Sequence, residues 1–203
     1  MSKDLNTEQI ILEAAEAEFL EQGYGNAKTV AIAKRAGVSH SMLHYYFRTK
    51  ENLFQMIFQK KIQFMSHIFM EMQMPDIPFF EIIRRIVELQ FDFVSQNPKL
   101  PRFVANEIIS NEKNRELLYE VLHPKFAPIY DNLDRMVADE IAKGTIRMIQ
   151  TRDLVLNIIA LNVFTFLALP VLSQTIAESK LLADMLNKRK ESNVQFILNS
   201  LRK

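Results

Sequence analysis

Apolar residues recur at spacings of three and four along almost the whole chain while alternating runs are nearly absent, so the pattern predicts helices throughout. Asn6 followed by Gln9 reads as a capping-box pair ahead of Ile11, Ala15 and Phe19 on one face, with Gly23 as the stop of a first helix. A short second helix is expected over 28–36, because Gly37 breaks the pattern and Ser39 offers a fresh N-cap for a third over 40–47. Thr49 caps a fourth, with Glu51 favourable in its first turn and Leu53, Phe54, Ile57, Phe58, Ile62 and Met65 carrying the apolar face onward.

Beyond Asp76 and Pro78 the face Ile82, Ile83, Ile86, Val87, Gln90 and Val94 predicts a helix ending at Asn97 and Pro98. Shorter helices are expected over 101–110 and 113–122, and another from Pro124 at its first turn to Lys143, stopped by Gly144. An extended piece over 145–150 leads to two final helices beginning near Arg152 and Glu178. The run from Leu154 to Leu172 has no formal charge, so a membrane span is weighed against a helix buried all round. Asn157, Asn162, Thr165 and Pro170 within it, and flanks without clustered basic residues, favour burial in a core or between subunits.

The fold class is therefore all-α: a three-helix helix-turn-helix domain over 1–50, followed by a helical domain over 51–203. With 203 residues and 48% hydrophobic content, such a chain buries its cores without staples. It contains no cysteine, which excludes disulfides, thiolate zinc sites and cysteine nucleophiles. The acidic opening segment lacks the basic start of a secretory signal, so a cytoplasmic location is expected.

A formal charge of +1 becomes informative once divided along the chain. Up to Glu21, Lys3 stands alone against Asp4, Glu8, Glu13, Glu16, Glu18 and Glu21. From there to Lys61, Lys28, Lys34, Arg35, Arg48, Lys50, Lys60 and Lys61 face only Glu51. That basic block surrounds the third helix, where Ser39, His40, Ser41, His44 and Tyr45 would project outward while Val38, Leu43 and Phe47 hold it down. An outward helix dense in donors and acceptors, flanked by cations, suits the major groove of a duplex.

The pieces "IILEAAEAEFLEQGY", "IAKRAGVS" and "LHYYFRTKENLF", in this order and spacing, resemble the N-terminal DNA-binding domain of the TetR family of bacterial transcriptional regulators. The resemblance implies that Lys28 and Thr29 meet the DNA backbone at the start of the second helix. It places Ser39, His40, Ser41, His44, Tyr45 and Tyr46 on a recognition helix, and Lys50 against a phosphate beside the fourth. Ser41 stands where the family usually has glycine, His44 where it has tyrosine, and Ala27 and Thr29 where a threonine and an apolar residue usually open the second helix. No operator sequence is therefore transferred.

The resemblance further implies a homodimer paired through the last two helices, a double-stranded operator and a small-molecule effector bound among the middle helices. Expected lining and polar handles are His67, Phe91, Phe103, Glu107, Tyr119, Tyr130, Asn162 and Phe166, which suit a largely apolar ligand. The regulator is expected to be a repressor of a palindromic operator, with an activator of the same fold as the alternative. A helical small-molecule-binding or membrane-associated module without DNA function is a further alternative. No cofactor, metal or membrane partner is expected. His40, His44, His67 and His123 have no ligand spacing, and no nucleophile elbow, phosphate loop or dinucleotide fingerprint is present, so no enzyme is expected.

Overall fold

The computed structural model describes residues 2–57, 59–60, 77–109, 112–172 and 179–203, all helix or connecting turns with no strand among them. The chain packs as two compact units, Met1–Phe64 with Arg102–Lys125, and Met65–Pro101 with Phe126–Lys203.

In the first unit, α1 spans Ser2–Asn26, α2 Thr29–Ala36 and α3 His40–Phe47, and α4 begins at residue 50. The expected start of α1 at Asn6 is corrected: the helix begins at Ser2. Gln9, released from a capping role, bonds Glu13 at 2.7 Å. Gly23 interrupts the helix with φ 78°, which marks the expected stop before a last short turn. The bounds of α3 agree with those expected, and α2 begins one residue later, with Lys28 as its N-cap. Ile11, Ala15, Ile32, Leu43, Leu53 and Phe54 are almost fully buried between these helices. Each large apolar side chain so enclosed contributes about 1.5–3 kcal/mol. Phe58 and the expected continuation of α4 through Ile62 and Met65 lie outside the described residues, as do Asp76 and His67.

Short α6, Leu100–Phe103, follows α5, Phe79–Gln96, and passes directly into a π-helical turn, Val104–Ile109. Phe103 of the first unit is buried and its ring lies 6.1 Å from that of Phe54. The separate helices expected over 113–122 and from Pro124 are one helix, α7, Glu112–Ala142. Proline removes one amide and crowds the preceding turn, a local penalty of about 3 kcal/mol. Buried side chains anchor α7 on both sides of it, Asn114 before and Leu133 and Val137 after.

In the second unit, α5, the C-terminal part of α7, α8 (Thr151–Leu172) and α9 (Ser179–Leu201) enclose Ile83, Val87, Val137, Ile146, Leu154, Val194, Ile197 and Leu201. The side-chain amide of Asn162 on α8 donates to the Val87 carbonyl on α5 at 2.9 Å and accepts from Asn193 on α9 at 2.8 Å. Lys190 pairs with Asp92 at 2.9 Å, tying α9 to α5 a second time.

The expectation that α8 is buried all round is corrected within this unit. Leu154, Ile158, Asn162, Thr165 and Phe166 face the core, but Leu156, Phe164 and Val171 are 61%, 68% and 71% exposed, and Ile159 and Leu167 are exposed beside them. The helix from Thr151 to Val171 is long and apolar enough to cross a membrane by length and composition, with 28% of it buried. The two sides are set by position rather than hydropathy, because nearly every residue of α8 is apolar.

Candidate nucleic-acid interface

The turn between α2 and α3 is built by two local devices. Gly37 takes the left-handed conformation, φ 69° and ψ 26°, and its amide and that of Val38 bond back to the Lys34 and Ala33 carbonyls, closing α2. A Cβ at Gly37 would meet nothing within 4 Å, so backbone conformation alone requires glycine there. Ser39 then caps α3, its hydroxyl accepting from the Met42 amide at 3.1 Å.

Two faces of α3 result. Leu43 and Phe47 are buried against the unit, whereas Ser39, His40, Ser41, His44 and Tyr45 are exposed, Tyr45 at 81%. Tyr46 is half-buried and lies between Tyr45 and Phe47, with ring centroids at 5.4 and 6.4 Å. His40 and His44 meet edge to face at 4.6 Å, and the His40 Nε2 shares a hydrogen bond with the Thr29 hydroxyl of α2 at 3.0 Å. Thr29 thus opens α2 while bonded to the first residue of α3.

The cations divide into committed and uncommitted groups. Arg35 donates to Glu21 of α1 at 2.6 Å and lies 3.7 Å from Glu18, and the bond to Glu21 holds its proton more tightly than usual. Lys60 donates to Gln9 at 2.7 Å. Lys50 donates to the Gly25 carbonyl at 3.2 Å with its ammonium 4.7 Å above the Tyr24 ring. Exposed Lys28, Lys34 and Arg48 have no ion pair among the described residues.

Tyr24 links the end of α1 to the start of α4. It is buried among Phe19 and Phe54, with centroids at 5.5 and 4.7 Å. Burial, the Glu51 carboxylate nearby and a hydrogen bond to that carboxylate push its phenol up to about 12. Thr49 caps α4 by accepting from the Asn52 amide at 3.1 Å.

The residues expected around an effector are dispersed. Phe91 and Phe166 meet at 5.1 Å in a small buried cluster with Val94 in the second unit, one turn of α8 from Asn162. Asn162 itself is fully buried, with its amide nitrogen and oxygen both bonded to protein groups. Tyr130 lines an open cleft of about 330 Å³ with Asp134, Val137, Thr151 and Arg152. Phe103 belongs to the first unit, and exposed Tyr119 leans on His123 at 4.8 Å. His67 and the Glu107 side chain lie outside the described residues. No cluster of potential metal ligands occurs among the described residues.

Two exposed apolar side chains, Val30 on α2 and Met42 on α3, were not anticipated at this surface. Residue type pointed to packing for both, and only the helix orientation reveals them.

The sequence pattern of bacterial regulatory proteins of the tetR family matches residues 11–57, and that of the tetracyclin repressor-like C-terminal domain matches residues 80–197. The chain is 26% identical over 125 residues to the uncharacterised HTH-type transcriptional regulator YhgD of Bacillus subtilis (strain 168), a match spanning 57% of this chain and 65% of that relative. Among solved structures it is similar to HlyIIR, a hemolysin II transcriptional regulator, at 21% identity and a TM-score of 0.63 over 98% of both chains. It is similar also to the transcriptional regulator FadR of Bacillus subtilis in complex with stearoyl-CoA, at 20% identity and a TM-score of 0.73 over 96% of this chain and 99% of that one.

Proposed function

The chain belongs to the TetR family of bacterial regulatory proteins, and from that premise we propose that it is a homodimeric, ligand-responsive transcription factor acting in the cytoplasm, a repressor that releases a palindromic operator when its effector binds. Residues 1–50 form the DNA-binding domain and 51–203 the effector-binding and dimerisation domain. Its work in this reading is binding, not catalysis.

The observation that carries the reading is the two-faced α3, which buries Leu43 and Phe47 and turns Ser39, His40, Ser41, His44 and Tyr45 to solvent beside exposed Lys28, Lys34 and Arg48, which have no ion pair among the described residues. A helix enters the major groove with its N-terminal residues at the base edges while cations meet phosphates. Lys28 and Lys50 serve the backbone, and Thr29 stands beside them bonded to His40; Tyr46 steadies Tyr45 from its half-buried position.

The apolar stripe of α8, with Phe196 exposed on α9, supports pairing of two copies through these helices, and a two-fold pair matches a palindrome whose half-sites lie about 34 Å apart. The effector is largely apolar with one or two polar handles, in keeping with the aromatic Phe91 and Phe166 cluster. The stearoyl-CoA bound by Bacillus subtilis FadR makes long acyl chains the first class to screen.

Selection of bound oligonucleotides from a random pool tests the DNA reading. An enriched inverted repeat is expected; a pool that returns no preferred sequence would refute it. Thermal-shift screening tests the effector class, which fails if only small, highly charged ligands stabilise the protein.

A further inference from the structure

We infer that Thr29 and His40 act as one sequence-reading unit, in which Thr29 is a positioning residue and His40 contacts a base edge. The inference rests on the DNA-binding reading above and adds to it the residue that fixes specificity at one base step.

His40 is the first residue of α3, the position from which a recognition helix reaches base edges, and its side chain is exposed. An exposed imidazole ordinarily rotates freely and presents either nitrogen in either role. Here the Thr29 hydroxyl holds Nε2 at 3.0 Å, and the His44 ring sits edge to face at 4.6 Å. Thr29 is β-branched and lies in the first turn of α2, so its hydroxyl is confined to few rotamers. The ring is therefore anchored from two directions before DNA arrives.

The anchor also has a geometric consequence. With Nε2 held by the Thr29 hydroxyl, Nδ1 is the ring nitrogen left to face a base edge, and the ring presents it from one orientation. A base edge displays fixed donors and acceptors in the major groove. A nitrogen held at one place along that edge favours the base whose group lies there; a ring that turns freely tolerates several. Thr29 thus contributes to base choice from a different helix, without touching the base.

The test uses the full chain and its selected inverted repeat, with competition binding to oligonucleotides changed one base step at a time. His40→Ala is expected to flatten preference at one step in each half-site by about 2- to 10-fold, the worth of one neutral hydrogen bond. Thr29→Val should flatten the same step to a similar extent, with an unchanged salt slope, and Thr29→Ser should keep the wild-type preference. The double variant should lose no more than either single one. Circular dichroism melts establish that each variant is folded, and Thr29→Ser keeps the question answerable if Thr29→Val is not. A folded Thr29→Val protein with wild-type preference at that step, or one that binds all sequences uniformly more weakly, would overturn the inference. A wild-type protein that enriches no sequence would instead overturn the DNA-binding reading itself.

Discussion

The side-chain amide of Asn193 donates to the Asn162 oxygen at 2.8 Å, joining α9 to α8 in a core where both residues are almost fully buried. Asn162 passes the connection to the Val87 carbonyl on α5, so three helices share one polar chain. Asn162→Leu takes the acceptor from the buried Asn193 amide, at about 1–3 kcal/mol, while the Val87 carbonyl keeps its bond within α5. A loss of about 1–3 kcal/mol in urea unfolding is expected, without change in effector affinity. A variant of wild-type stability that no longer responds to effector would return Asn162 to the ligand site.

Tyr24 predicts a pH dependence. Its phenol is pushed up to about 12, so the folded state holds the proton more tightly than the unfolded chain, where tyrosine titrates near 10. The stabilisation is whole below pH ~10 and is lost as pH rises from there through about 12. Unfolding measured across that interval should fall more steeply for the wild type than for Tyr24→Phe. Equal slopes would show that Tyr24 is not the titrating group.

Lys50 and Tyr45 should fail differently. Lys50→Ala removes one cation from the set proposed to face the DNA backbone, so affinity should drop for all sequences alike and the slope of log affinity against log salt should decrease by about one. Tyr45→Ala, at a position of α3 that is 81% exposed, should instead change the ranking among sequences. Anisotropy titrations at several salt concentrations separate the two; uniform weakening by both would mean that α3 does not read bases.

Phe164, in the exposed stripe of α8, tests the dimer. Phe164→Glu places a charge in the proposed seam and should raise the dimer dissociation constant by at least about 30-fold, the scale of an interface hot spot. The effect should appear in sedimentation velocity, while the helical signal stays unchanged. A dimer of undiminished strength would move the interface elsewhere.

How far the sequence reached depends on the range of the forces involved. The bounds of α3 were legible because Gly37 and Ser39 act within their own turn, through a left-handed cap and a hydroxyl to the Met42 amide. The continuity of α7 was not, because the cost of Pro124 is local while the burial of Leu133 and Val137 is tertiary. The π-helical turn at Val104–Ile109 has no residue signature. Thr29 and His40 could each be singled out, yet their bond crosses 11 positions and two helices. The exposed side of α8 was hidden by its uniformity, since a run of apolar residues has no period from which a face can be assigned.

That same uniformity bears on how the protein is kept in the cell. A subunit without a partner would display Leu156, Phe164, Leu167 and Val171 to water, the kind of surface that chaperones hold and proteases find. If two copies pair through this stripe as proposed, orphan copies would be cleared faster than paired ones, and the concentration of the pair would respond more steeply to its rate of synthesis than a stable monomer's would.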